Sequence, residues 1–302
     1  IKKGKTLGIV GESGCGKSVT ASSIMQLLPR LSRIEEGSIT YHSEQGDIRI
    51  DQLDRNSKEM RAVRGEEIAM IFQDPMTALN PVFTVGYQID EALKYHTRLD
   101  AKGRQRRVVE LLTDMGIPLP EKRSREYPHQ FSGGMRQRAM IAMAMSCNPK
   151  ILIADEPTTA LDVTIQAQIF GLMNKLKEDN GTGIMLITHD MGVIAELADE
   201  VAVMYMGIIV EAGTVDDVLR RPQHPYTLGL LDSIPVLGRG KYQEIKSIRG
   251  ATPDAYDRPK GCQFAPRCDF ATDVCKVTPQ EEHLSETHRV TCHRIREISQ
   301  NV

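Results

Sequence analysis

The segment 6–28 constrains this chain more than any other. Thr6-Leu7-Gly8-Ile9-Val10 is a short apolar run of strand type, Gly11-Glu12-Ser13-Gly14-Cys15-Gly16-Lys17-Ser18 follows, and 19–28 reads as a helix that stops at Pro29. The middle eight residues fill every fixed position of G-x-x-x-x-G-K-[ST], in the strand, loop, helix context that the pattern requires. Glycines there let main-chain N–H groups turn inward around phosphate oxygens, and the helix N-terminus adds about half a positive charge at the same place. Lys17 offers a point charge to β- and γ-phosphates, and Ser18 a hydroxyl to Mg²⁺. The expected ligand is a nucleoside triphosphate. A glycine turn matching by chance is the plainer alternative, and the flanking elements argue against it.

Length and charge narrow the rest. A chain of 302 residues suits about two domains, and a net charge of −2 gives no overall basic field to draw it onto nucleic acid. No stretch approaches the roughly 20 apolar residues that span a bilayer; the longest, 201–210, contains Gly207. No hydrophobic segment follows Ile1-Lys2-Lys3-Gly4-Lys5, so a secretory leader is not expected and the cytosol is. The first residue is Ile1, and ten residues precede the phosphate loop, so the true start and the residue that stacks on the base are expected upstream.

Several later strands end in residues suited to a ligand. Residues 39–50 read as a peripheral hairpin with its turn at 43–46. The apolar run 68–72 ends at Gln73. A helical region then covers about 85–148, with an amphipathic stretch at 104–115 and a break at Gly116-Ile117-Pro118; Tyr87, Leu93 and Leu111 in it read as core, and Cys147 as a small buried hydrophobe. Inside it, Phe131-Ser132-Gly133-Gly134-Met135-Arg136-Gln137-Arg138 introduces a helix over 136–146, a second helix start able to receive an anion or simply an ordinary N-cap. Ile151-Leu152-Ile153-Ala154 delivers Asp155 and Glu156 at a strand's carboxyl end, where α/β sheets place ligands. Asp155 suits Mg²⁺, and Glu156 suits orienting or deprotonating an attacking water. A helix over 163–177 follows, then a strand over 183–187 that presents His189 to a γ-phosphate or to solvent. A helix at 191–198 and strands at 201–206 and 208–211 complete an α/β nucleotide-binding domain.

The last part of the chain gathers Cys262, Cys268, Cys275 and Cys292, separated by five, six and sixteen residues. A reducing cytosol disfavours disulfides. Four thiolates can hold tetrahedral Zn²⁺ or a [4Fe–4S] cluster, and free structural thiols are the third reading. His283, His288 and His293 nearby could replace a cysteine as ligand, but read first as surface histidines.

Together these residues resemble the ATP-binding subunit of an ABC transporter, over about 5–219. In that resemblance GESGCGKS is Walker A, so Gly11, Ser13, Gly14, Cys15, Gly16, Lys17, Ser18 and Val19 surround ATP. Gln73 is the Q-loop residue, ILIADE is Walker B, TALD over 159–162 is the D-loop, and His189 is the switch histidine. FSGGMRQR is the signature, departing from LSGGQ at Phe131 and Met135. The implied fold is an α/β, ABC-type P-loop nucleotide-binding domain over 1–219 with a helical subdomain at about 85–148. A small irregular cysteine-rich C-terminal domain follows over 220–302. The resemblance further implies Glu156, His189 and Gln73 as catalytic residues and Mg²⁺ held by Ser18, Gln73 and Asp155. Asp162 of the D-loop is a further nucleotide-binding residue; Ser132, Gly133 and Gly134 then serve the nucleotide of a second ABC subunit, alike or related, and the loop 73–80 carries motion to two membrane permease subunits.

A narrower resemblance rests on Arg221-Pro222-Gln223-His224-Pro225-Tyr226-Thr227, on FQDPMTALNP and on the cysteine tail. These are similar to oligopeptide and dipeptide importer subunits. They imply ATP-driven peptide import at the cytoplasmic face of the membrane, fed by a periplasmic or extracellular peptide-binding protein and without nucleic acid. They also imply a [4Fe–4S] cluster on the four cysteines, with Zn²⁺ the alternative. Nickel and glutathione importers share much of this pattern. A soluble ABC ATPase acting on nucleic acid or ribosomes would call for tandem nucleotide domains or a long coiled insertion, and a non-hydrolysing regulatory module would not need the full set of Lys17, Gln73, Asp155, Glu156 and His189.

Overall fold

Main-chain hydrogen bonding divides the chain into short buried strands joined by capped helices. In a computed structural model, residues 1–74, 78–158, 161–234, 248–254 and 256–295 are described. The strands are β1 (Thr6–Val10), β2 (Thr40–Ser43), β3 (Gly46–Arg49), β4 (Ile68–Ile71), β5 (Ile151–Asp155), β6 (Gly183–Ile187), β7 (Glu200–Tyr205), β8 (Ile208–Thr214), β9 (Glu282–His283) and β10 (Arg289–Val290). The α-helices are α1 (Lys17–Ile24), α2 (Lys58–Ala62), α3 (Val85–His96), α4 (Ala101–Asp114), α5 (Pro120–Arg123), α6 (Gly133–Met145), α7 (Val163–Asn180), α8 (Met191–Leu197), α9 (Val215–Arg220) and α10 (Pro225–Asp232). Two compact units emerge, one of Ile1–Thr6 with Ser18–Leu186 and one of Leu7–Lys17 with Ile187–Val302.

In the first unit β4, β5 and β6 lie side by side, β4 parallel to β5 with Ile68 opposite Ile151. β4 and β6 are buried along their whole length, which is why they read as continuous apolar runs and not as alternating ones. The expected hairpin is present as β2 and β3, with Ser43 opposite Gly46. Helices α3, α4, α6 and α7 start at side-chain caps that spare an exposed N–H: Thr84 accepts from Tyr87, Asp100 from Gly103, Ser132 from Met135 and Asp162 from Ile165. Ile89, Leu93, Leu112, Met140 and Ile141 from these helices are fully buried. Tyr87, read as core, is instead 49% exposed and stacks on Phe83.

The helix after the phosphate loop is shorter than the apolar pattern suggests. It ends at Ile24, because Gln26 takes a left-handed backbone (φ 50°) and the Leu27 N–H turns back to the Ser22 carbonyl at 2.8 Å. Arg64 captures that end, donating to the Met25 and Gln26 carbonyls at 2.8 and 2.9 Å. A partner 38 residues away in sequence decides where the helix stops.

The second unit holds a mixed sheet in the order β1-β7-β8-β10-β9. β1 and β7 are parallel and the other neighbours antiparallel. β10 lies in the cysteine-bearing tail, pairing Arg289 with Ala212 and Val290 with Glu211, so the tail is not irregular throughout as expected. Tyr205, Tyr226 and Phe264 pack their rings edge-on, with centroids 4.8 to 5.3 Å apart, and join β7, α10 and the tail into one core. His288 corrects another expectation: it is buried, and its Nε2 meets the fully buried Glu211 carboxylate at 2.9 Å. Sequence gave no sign of this, because the partner sits 77 positions away.

Burial holds the His224 imidazole down at about 3, so it stays neutral while its Nδ1 accepts the Tyr226 N–H at 3.0 Å. The unfolded imidazole titrates near about 6.5. As pH falls from there toward about 3, the unfolded chain takes up a proton that the folded chain refuses, and stability falls with it. His224→Asn, which keeps an N-cap acceptor, is expected to flatten the fall in urea midpoint between pH 6.5 and 5; an unchanged slope would clear His224 of the effect.

Candidate functional site

The phosphate loop belongs to the second unit up to Lys17. Only glycine fits at Gly11: a Cβ there would stand 2.2 Å from the Met204 carbonyl oxygen, so the loop presses directly on β7. A clamp follows three residues on from Glu12, where the Cys15 carbonyl accepts the Gly207 N–H at 2.7 Å. Gly14 faces open space, room that a phosphate cradle needs. Lys17 is 6% exposed and folds beneath its own loop, donating to the Gly11 and Glu12 carbonyls at 2.8 and 3.0 Å. Cys15 is buried as well; burial pushes its thiol up, and the Lys17 ammonium opposes this.

Glu12 is gripped twice, a feature that the sequence pattern does not reveal because its position in the loop is variable. The Tyr226 hydroxyl accepts its main-chain N–H at 2.7 Å, and Arg267 pairs with both of its carboxylate oxygens at 2.6 and 2.9 Å. Pairing with Glu12 raises the Arg267 guanidinium above its ordinary range against the pull of burial. His189, in the same unit, follows Thr188, whose N–H donates to the Ile9 carbonyl at 3.2 Å in β1. Asp190 then caps α8, accepting from the Gly192 N–H at 2.7 Å and leaving His189 exposed.

The first unit begins at Ser18, exposed near the start of α1 together with Val19. Asp155 closes β5 with 4% exposure, a buried carboxylate of the donor type that suits a divalent cation. Glu156 takes a left-handed backbone (φ 45°), which costs a non-glycine residue about 1 kcal/mol or more. The structure brings two expected site residues together here: Gln73 Nε2 donates to Glu156 Oε2 at 2.9 Å. The next carbonyl, that of Pro157, accepts from the fully buried Gln137 of α6. The helix opened by Ser132-Gly133-Gly134 is therefore bonded to the loop that carries Glu156. Sequence offered a glutamine in the motif but no partner for it. Ser132 and Gly133 are exposed, while a Cβ on Gly134 would lie 3.3 Å from Leu161. Asp162 is exposed and caps α7 through the Ile165 N–H at 3.0 Å. Thr159 and Ala160 of the expected D-loop, and 75–77 of the loop after Gln73, lie outside the described residues.

The four tail cysteines form no disulfide. Cys268, Cys275 and Cys292 are buried. Burial pushes the Cys268 thiol up to about 11, and the neighbouring Cys262 and Cys275 push the same way. Burial likewise takes Cys292 to about 12, with Cys262, Cys268 and Cys275 adding to the rise. Main-chain N–H groups oppose it at three sulfurs: those of Phe264 and Ala265 at Cys262, Phe270 at Cys268 and Arg294 at Cys292. The donor chemistry suits a thiophilic metal, yet among the described residues no group of three or more His, Cys, Asp or Glu side chains is arranged to hold one. The expected cluster site is corrected to that extent. His293 Nε2 donates to the Val277 carbonyl at 3.0 Å, and His283 is exposed beside Glu281.

The glycine loop around Lys17 is that of a P-loop nucleoside triphosphatase. Residues 1–159 match the ABC transporter family, and 210–275 match the oligopeptide/dipeptide transporter C-terminal region. The dipeptide transport ATP-binding protein DppD of Bacillus subtilis (strain 168) is 51% identical over 97% of this chain and 86% of its own length. DppD of Haemophilus influenzae is 50% identical over 97% and 87%, and the oligopeptide transport ATP-binding protein OppD of Bacillus subtilis 51% over 96% and 80%. A dimeric ATP-binding cassette solved in a post-hydrolysis state with ADP and Pi superposes with TM-score 0.62 at 29% identity, covering 71% of this chain and 87% of that one. The chain belongs to the ABC transporter ATPases, in their oligopeptide/dipeptide family. ATP with Mg²⁺ is the nucleotide on which this family acts. Among the described residues no helix is long and apolar enough to cross a membrane.

Proposed function

We propose that this chain is the ATP-hydrolysing subunit that powers import of di- or oligopeptides through a membrane ABC transporter. The observation that carries it is the joining, in one chain, of a segment that matches the ABC transporter family to one that matches the oligopeptide/dipeptide transporter C-terminal region. Relatives named for dipeptide and oligopeptide transport support it at about half identity across nearly the whole chain. Nickel or glutathione as cargo is the competing assignment. The division into an ATPase domain over 1–219 and an extension over 220–302 is part of the same reading.

Residue by residue, the main-chain N–H groups of Gly11, Ser13, Gly14, Cys15 and Gly16 wrap the phosphates. Lys17 gives its charge to the β- and γ-oxygens, with Ser18 and Val19 continuing the cradle. Ser18, Asp155 and Gln73 would hold Mg²⁺, which would offset the charge of the phosphates. Glu156 orients and deprotonates the attacking water, and His189 contacts the γ-phosphate. The Gln73 hydrogen bond fixes the Glu156 carboxylate, and so links the catalytic base to the loop that addresses the permease subunits. Asp162 is a further nucleotide-binding residue; Ser132, Gly133 and Gly134 serve the nucleotide of a second ABC subunit, so the working unit is a dimer at the cytoplasmic face of the membrane, beneath two permease subunits and a peptide-binding protein. ATP closes this pair and hydrolysis reopens it.

Glu156→Gln in the assembled transporter is expected to lower ATP turnover by about a hundredfold or more while MgATP is still bound. Labelled dipeptide uptake into vesicles should stop with it. Uptake of Ni²⁺ or glutathione in place of peptide by the wild type would overturn the cargo, and unchanged turnover would remove Glu156 from its role.

The second element of the reading is a [4Fe–4S] cluster on Cys262, Cys268, Cys275 and Cys292, with Zn²⁺ as the rival occupant. What supports it is that Cys262, Cys268 and Cys275 bear on the buried Cys292 thiol, and that Cys262, Cys268 and Cys292 are faced by main-chain N–H groups of the kind that stabilise cluster sulfurs. Protein prepared without oxygen is expected to be brown, with stoichiometric iron and sulfide, and Cys262→Ser/Cys275→Ser to be colourless. Colourless wild type with stoichiometric zinc would reject the cluster.

A further inference from the structure

Glu12 places a carboxylate within the loop that is to receive a polyanion. An unpaired charge there would repel the ligand, the more strongly for being partly removed from water. The second unit answers it with a buried cation. Arg267 is 4% exposed in its side chain and meets Glu12 at two points, Nη1 to Oε2 at 2.6 Å and Nη2 to Oε1 at 2.9 Å, while Thr252 Oγ1 reaches Oε2 at 3.4 Å. The guanidinium is itself fixed: Nε donates to the Arg249 carbonyl at 3.0 Å and Nη2 to the Gly250 carbonyl at 3.2 Å. Arg249 returns the contact, donating to the carbonyls of Arg267 at 3.2 Å and Cys268 at 2.8 Å. From the other side, Tyr226 holds the Glu12 N–H at 2.7 Å. The same carboxylate is thus tied to a residue immediately before Cys268, more than 250 positions along the chain.

We propose that Arg267 is a positioning residue for nucleotide binding, cancelling the Glu12 charge and fixing the first turn of the phosphate loop. ATP affinity then depends on the cysteine-bearing segment in which Arg267 is embedded. This rests on the reading that the loop binds ATP, and deepens it by naming a residue outside every expected site. The effect runs through charge, so it grows with the number of phosphates on the ligand, and it can be undone at Glu12.

The test is equilibrium binding of a fluorescent ATP analogue and its ADP counterpart, with Mg²⁺, to the full chain. Wild type is measured first; failure of wild type to bind would sink the ATP reading itself. Arg267→Gln is expected to weaken the triphosphate by about tenfold and the diphosphate by less, since it leaves the Glu12 carboxylate uncompensated. Glu12→Gln alone should bind at least as well as wild type, and Arg267→Gln/Glu12→Gln should recover to within about threefold of it. Binding by Arg267→Gln within about twofold of wild type would overturn the proposal. So would a folded double variant as weak as Arg267→Gln, since a purely mechanical brace is not mended by removing its second half. Should Arg267→Gln fail to fold, Glu12→Gln decides: a loss of about tenfold or more there contradicts charge cancellation, and wild-type or tighter binding upholds it.

Discussion

The carboxylate of Glu12 has to be neutralised before the loop around it can accept phosphate, and this requirement ties the two ends of the chain together. The Lys17 ammonium is directed at the Gly11 and Glu12 carbonyls beneath the loop. The neutralising charge comes from Arg267, with Tyr226 fixing the adjoining N–H. Arg267 is buried while Glu12 keeps part of its carboxylate in solvent, so removing Glu12 would leave a buried guanidinium without its acid. The aromatic packing of Tyr205, Tyr226 and Phe264 supports it from behind, and the Arg267 guanidinium lies 5.9 Å from the Tyr205 ring centre. The C-terminal region thereby becomes part of the nucleotide machinery as well as a mark of the importer family.

The first unit shows a parallel economy. Glu156 sits in a left-handed conformation that its own type disfavours, and its neighbours hold it there: Gln73 through the side chain, Gln137 through the following carbonyl. Gln137 belongs to the helix that Ser132 caps, and Arg138 of that helix donates to the carbonyls of Met115 and Gly116, where the preceding helical region breaks. A displacement of the helical region would therefore be felt at the Glu156 loop through two hydrogen-bonded steps. Gln73 offers a second route to the same loop.

Much of this was legible in the sequence because the informative residues are local. The phosphate loop, the buried strands β4, β5 and β6 and the capped helices announce themselves by spacing and by cap residues at the right offset. What escaped were partners distant in sequence: Arg64 ending α1, Glu211 drawing His288 into the core, Arg267 reaching Glu12. A histidine in a polar stretch looks like surface until its buried acid is known. The cysteines were recognisable as a group, but spacing alone could not say how their sulfurs would face one another, and the described side chains do not form a ready metal-holding set. The tail was also less irregular than its prolines suggested, since β10 extends the antiparallel edge of the second unit's sheet.

The central claim is that the phosphate loop and the cysteine-bearing segment respond to nucleotide as one body. Amide hydrogen exchange of the full chain, measured with and without MgATP, tests it most directly. Slowed exchange at 249–252 and 262–268 in step with 11–17 is the predicted result. Protection confined to the loop and α1, with the distant segments exchanging at their nucleotide-free rates, would contradict it.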